Sequence, residues 1–160
     1  MEIVEESKSL QRLKLSGMQL NHPDVIYYIS NQFYINPSMI EMDLSHSKIK
    51  PSHFNGILSS LREEFESGNG AKFMKFQNLN LSYMSTHGHV EEIANSIAKI
   101  VELSPYLMHL DISGLNLKDH IKPIILGLKQ NKIMIALHVN DNNLDPKTKD
   151  WVMRTLGIEA

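Results

Sequence analysis

Met134-Ile-Ala-Leu-His-Val-Asn-Asp-Asn-Asn-Leu144 fits the template L-x-x-L-x-L-x-x-N-x-L, with Met134, Leu137, Val139 and Leu144 in the apolar slots and Asn142 in the asparagine slot. The same template falls on the chain four more times. Its apolar slots take Leu10, Leu13, Leu15 and Leu20, then Met39, Met42, Leu44 and Ile49. They next take Phe73, Phe76, Asn78 and Tyr83, and finally Leu107, Leu110, Ile112 and Leu117. Asn78 is the one polar misfit. With 42% of the chain hydrophobic, chance placement is a poor account of such regularity.

The repeats start at 10, 39, 73, 107 and 134, which are 29, 34, 34 and 27 residues apart. Ser67-Gly-Asn-Gly70 is a candidate insertion before the third strand. Between the strands the apolar period changes from two to that of a helix. A first helix is expected after His22-Pro23 with Ile26, Ile29 and Phe33 inward, since proline suits the first helical position. A second opens at Pro51 and carries Phe54, Ile57, Leu58, Leu61 and Phe65 on one stripe. A third uses Val90, Ile93, Ala94, Ile97, Ile100 and Val101 and ends before Pro105. A fourth uses Ile121, Ile124, Ile125 and Leu128. A capping helix over 145–157 starts at Asp145-Pro146, turns Trp151, Val152 and Leu156 inward and stops at Gly157.

Strand–helix–strand order makes the strands parallel, with right-handed crossovers. A sheet covered on both faces would show unbroken apolar strands. Here template positions 4 and 6 are apolar while positions 3, 5 and 7 are mostly polar, so one face meets helices and the other water. Strands repeat at about 4.8 Å and helices at about 8–10 Å, so the stack bends with the strands inside. The expected fold is a single α/β right-handed solenoid over 1–160, with five strand–helix repeats and a C-terminal capping helix.

A net charge of -2 gives no field for nucleic acid or an anionic membrane, and no apolar run approaches a membrane span. The chain has 0 Cys, which excludes disulfides and thiolate metal sites and fits a reducing, cytoplasmic setting. The opening Met1-Glu-Ile-Val-Glu-Glu-Ser7 lacks a secretory h-region, so the glycosylation sequon Asn80-Leu-Ser82 is discounted.

The segments Leu107–Leu117, Met39–Ile49 and Met134–Leu144 carry a resemblance to leucine-rich repeat proteins, over essentially the whole chain. The long, helix-backed repeat resembles the ribonuclease-inhibitor-like subclass, shared by tropomodulin-type and CARMIL-type actin regulators and by Ran GTPase-activating protein. One departure concerns the asparagine slot, filled only by Asn142; the other occupants are Met18, Ser47, Leu81 and Leu115. The resemblance implies a protein-binding scaffold or adaptor and no cofactor. An alternative is actin regulation, and GTPase activation comes third.

The concave row is expected to be Arg12, Glu41, Lys75, His109 and Ala136 at position 3. Position 5 gives Lys14, Asp43, Gln77, Asp111 and His138, and position 7 gives Ser16, Ser45, Leu79, Ser113 and Asn140. This surface either binds a protein or pairs with itself, Arg12 with Glu41, Lys14 with Asp43 and Asp111 with His138. Such exposed pairs contribute roughly 0–1 kcal/mol. Tyr27 and Tyr34, offset from Ile26 and Phe33 on the first helix, form a weaker convex candidate for protein binding.

Catalytic and metal readings fare poorly. His87-Gly88-His89 lacks a suitably spaced third ligand. Asp111, His138 and Ser113 resemble a triad only on paper, with no oxyanion-type turn. A GTPase-activating site needs a finger arginine, and none of Arg12, Arg62 and Arg154 falls in a convincing post-strand loop. The C-terminal end reads as closed by its helix. Ile3 and Val4 offer the first strand only partial cover, so the expectation there is a preceding segment or an N-terminal edge that docks a neighbour.

Overall fold

The structure, a computed structural model, describes residues 9–68 and 75–158, without the side chains of Phe33, Tyr34 and Ile35. Five short strands, β1 (Arg12–Lys14), β2 (Glu41–Asp43), β3 (Asn78–Asn80), β4 (His109–Asp111) and β5 (Ala136–His138), form one sheet in sequence order. Every neighbouring pair is parallel. The helices α1 (Pro23–Ile35), α2 (Pro51–Glu66), α3 (Val90–Leu103), α4 (Ile121–Gln130) and α5 (Pro146–Leu156) alternate with them. A 3-10 turn, Lys118–His120, leads into α4. The chain is thus an α/β solenoid with a concave sheet and a C-terminal helix.

The helices form where the apolar stripes lie. All five stripe residues of α2, from Phe54 to Phe65, are buried. So are Ile93, Ala94, Ile97, Ile100 and Val101 of α3 and Ile121, Ile124 and Ile125 of α4. Proline opens α1, α2 and α5, where its missing N–H costs nothing. Asp145 caps α5 by accepting the Thr148 N–H at 2.8 Å, and Gly157 ends it at φ 70°. On α1, Ile29 is buried and Ile26 half-buried, while the Phe33 side chain lies outside the described residues.

Strand side chains alternate as the pattern requires. Position 4 sends Leu13, Met42, Leu79 and Leu110 into the core, and position 6 sends Leu44, Leu81 and Ile112. Each fully buried leucine-sized side chain is worth roughly 1.5–3 kcal/mol. In the last repeat Leu137 and Val139 are only half-buried, so α5 closes that end less completely than the amphipathic pattern suggests.

The third repeat corrects the expected frame. Met42 pairs with Leu79, not with Phe76, so the repeat starts at Phe76 and runs through Leu79, Leu81 and Thr86. The expected frame sat three residues early. Thr86 is the true polar misfit, and it is buried with its hydroxyl donating to the Leu115 carbonyl at 2.8 Å. The stretch 69–74, which includes Phe73 and part of the candidate insertion, lies outside the described residues, as do Ile3 and Val4.

The turn after each strand is held by different chemistry in different repeats. Asn142 is 2% exposed; its amide donates to the Ile112 and Val139 carbonyls and its oxygen accepts the Leu117 N–H. Ser47 takes the same position in repeat 2 and donates to the Leu15 carbonyl at 2.6 Å. Repeats 3 and 4 place the apolar Met84 and Leu115 there, both buried. With the frame corrected, Met84 replaces Leu81 as the occupant in repeat 3.

Candidate functional site

The concave face is built by positions 3, 5 and 7. Register puts Arg12, Glu41, Asn78, His109 and Ala136 in one row and Lys14, Asp43, Asn80, Asp111 and His138 in the next. Asn78 and Asn80 therefore take the places expected for Lys75 and Gln77. Lys75 is exposed in the turn before β3. Gln77 is half-buried, and its carbonyl accepts the Met108 and His109 N–H groups. Leu79 is 3% exposed and belongs to the core, and Ser82 takes the position 7 place expected for it. A shallow depression of about 200 Å³ opens among Glu41, Asn78, Asn80, His109, Asp111 and His138.

The charged residues on this face are mostly engaged. Glu41 takes both cations of β1, Lys14 Nζ at 2.8 Å and Arg12 Nε at 3.5 Å. Lys14 thus meets Glu41 diagonally rather than Asp43 across the ladder. Asp43 Oδ1 instead accepts the Ser45 N–H at 2.9 Å, and Asp111 Oδ1 accepts the Ser113 N–H at 2.9 Å. Asn80 does the same for Ser82 at 3.0 Å. This side-chain turn, made by Asp or Asn two residues before a serine, ends the three central strands. Asp111 and His138 are ladder neighbours, but no ion pair joins them among the described residues.

A second surface lies at the loop edge where the strands end, and the sequence reading passed over it. Position 8 holds Gly17, His46, Tyr83, Gly114 and Asp141, and all five have positive φ, from 55° to 72°. Glycine meets that requirement freely in repeats 1 and 4. Asp141 and His46 are residue types that tolerate this backbone better than most, whereas at Tyr83 it costs roughly 1–2 kcal/mol. Strain of this kind persists where side chains serve another purpose.

The side chains at these positions interlock. The His46 and Tyr83 rings stack with centroids 4.7 Å apart and planes 13° apart. The Tyr83 ring then lies across repeat 4: a Cβ on Gly114 would sit 2.4 Å from Tyr83 Cδ1. Its hydroxyl reaches repeat 5 and donates to Asp141 Oδ2 at 2.7 Å. That hydrogen bond, with the adjacent carboxylate charge, holds the Tyr83 phenol above its usual range. Despite these contacts Tyr83 is 47% exposed. The result is a fixed aromatic platform spanning four repeats at the solvent surface.

Beside the platform is a cavity of about 380 Å³ lined by Gly114, Asn116, His87, Lys118 and His120 among others, with no carboxylate in its wall. Tyr83 escaped the sequence reading because the slipped frame assigned it to a core slot. The aligned triplets Asp43-Leu44-Ser45, Asn80-Leu81-Ser82 and Asp111-Ile112-Ser113 carried the signal that would have placed it, one residue past each serine.

On the convex side Tyr27 is 66% exposed and meets Tyr28 edge to face at 5.8 Å. The Tyr34 side chain lies outside the described residues. Arg12 sits on β1, Arg62 on α2 and Arg154 on α5, where it pairs with Asp150. Among the described residues no group of three or more His, Asp or Glu side chains could hold a metal ion. Among them, too, no helix is long and apolar enough to cross a membrane.

Fold and face together define a leucine-rich-repeat-like α/β solenoid. No protein-family model matches the sequence, and no curated protein does. Among solved structures, a chain described as leiomodin-1 actin-binding site 2 is similar over 98% of this chain and 84% of its own. The TM-score is 0.64 and the identity 10%, a likeness of fold alone.

Proposed function

We propose that the chain is a non-catalytic, cytoplasmic protein-binding solenoid of the ribonuclease-inhibitor-like subclass, and that it binds actin. The likeness to an actin-binding domain across nearly the whole of both chains carries this reading. The open, polar concave sheet supports it, with Arg12, Lys14, Glu41, Asp43, Asn78, Asn80, His109, Asp111, His138 and Asn140 as the proposed contact set. A generic adaptor with another protein partner shares this surface chemistry but lacks a comparison of its own. GTPase activation has less support, because each arginine lies on a strand or helix and not in a post-strand loop.

Co-sedimentation with filamentous actin, together with pyrene-actin assembly kinetics, tests the proposal. The expected result is saturable binding or a changed elongation rate, reduced by Glu41→Lys on the concave face. Neither sedimentation nor any change in assembly would remove actin as the partner.

A further inference from the structure

We infer that the loop edge built on His46, Tyr83 and the cavity beside Gly114 docks an acidic segment of a protein partner. The segment's carboxylates seat among Lys118, His87 and His120, and its flanking atoms pack on the exposed Tyr83–His46 stack. This rests on the protein-binding reading above, but not on actin being the partner.

Three observations converge. The first is the platform itself, since side chains replace glycine at His46 and Tyr83 against the preference of the left-handed backbone. Tyrosine held in one pose loses little freedom on binding, which is why it recurs among binding hot spots. Its stack with His46 and its bond to Asp141 supply that rigidity before any partner arrives.

The second is charge. Loop residues 45–50 and 82–89 contain Lys48, Lys50 and three histidines, and no carboxylate. Lys118, His87 and His120 line the cavity, again without one. Of the nearby carboxylates, Glu91 and Glu92 lie exposed in the first turn of α3, outside the cavity wall, and three others are engaged within the fold. Asp141 accepts from Tyr83, Asp119 accepts from Thr148 and lies 3.8 Å from Lys122, and Asp145 caps α5. The cavity wall itself therefore presents donors and the Lys118 cation with no carboxylate among them, which a carboxylate of a partner can complement.

The third is continuity. Gly114 lies under the Tyr83 ring and also lines the cavity, so platform and cavity form one surface. Opposed to this, the concave face already pairs Glu41 with Lys14 and Arg12.

Fluorescence anisotropy with a labelled short peptide rich in Glu and Asp, against its Gln and Asn counterpart, tests the inference. Tyr83→Gly suits the test because glycine is the residue at the equivalent position of repeats 1 and 4. Lys118→Asn also tolerates a positive φ. Lys129→Asn, an exposed charge on α4 outside both surfaces, is the control. The expected result is preference for the acidic peptide, weakened about tenfold by Tyr83→Gly. Lys118→Asn should weaken it roughly threefold or more, and Lys129→Asn should leave it unchanged. Equal affinity for the two peptides, or equal losses in Lys118→Asn and Lys129→Asn, overturns the inference. Actin sedimentation of the unaltered chain is scored separately. Its failure alongside selective peptide binding removes actin and keeps the docking edge; the reverse removes the edge and keeps actin.

Discussion

Tyr83 shows how one side chain couples four repeats. Its phenol is held above the usual value of 10.0 first by the hydrogen bond to Asp141 and then by that carboxylate's charge. A group whose folded pKa is raised contributes stability that is complete below the unfolded value and lost as pH rises through the folded one. Asp141→Asn keeps a residue tolerant of positive φ but removes the charge. An absorbance titration should show a tyrosine ionising at lower pH in Asp141→Asn than in the unaltered chain. Superposable curves would detach Tyr83 from Asp141. Gly114 is the matching residue on the other side of the ring. Gly114→Ala combines a positive φ with a Cβ 2.4 Å from Tyr83 Cδ1. It should cost about 1–3 kcal/mol in urea unfolding. In a Tyr83→Gly background the clash is gone and the cost should fall to about 1 kcal/mol, that of the backbone alone. Additive losses would mean that Gly114 does not accommodate the ring.

The elements were legible where a stripe had one reading. The α2 stripe, with apolar residues at helical spacing after Pro51, admits no other face, and all five expected residues are buried. The third strand was ambiguous because Phe73 and Phe76 are three residues apart, and each can open the template. Starting at Phe73 leaves Asn78 as the misfit; starting at Phe76 leaves Thr86. With no asparagine in the marker slot the two frames are degenerate, and long-range pairing with Met42 decides between them. Close approach of helices was invisible in the sequence. Gly127 on α4 faces α3 so closely that a Cβ would lie 2.7 Å from the Ala98 carbonyl oxygen. Backbone cannot yield as a flexible side chain would, so Gly127→Ala must push the two helices apart. It should destabilise the chain by about 1–3 kcal/mol in thermal or urea unfolding. An unchanged midpoint would show that α4 can shift without loss.

Across the whole molecule burial is graded along the solenoid axis. At positions 4 and 6 the residues of repeats 2, 3 and 4 are at most 3% exposed, whereas Leu137 and Val139 of repeat 5 are half-buried. This follows from stacking, since repeats 2, 3 and 4 each have a neighbouring strand on both sides, whereas among the described residues β5 is paired on one side only, with β4. The sequence carried the repeat but not this gradient, because identical apolar patterns are buried to different depths according to their neighbours. The loop-edge platform was equally illegible, as it depends on left-handed turns that no apolar pattern reports. Stability in such arrays is set by each repeat and its nearest interfaces. The last repeat should therefore open at a lower free energy than the central ones. The chain's one tryptophan, Trp151, lies half-buried on α5 and reports this repeat alone. Urea unfolding followed by Trp151 fluorescence should have a lower midpoint than the same titration followed by far-ultraviolet circular dichroism, which averages over all helices. Coincident transitions would mean that the interface between repeats 4 and 5 is strong enough to make the array unfold as one unit. In that case Thr148 and Asp145, with the Asn142 bonds to repeat 4, would hold the end despite its thinner apolar cover.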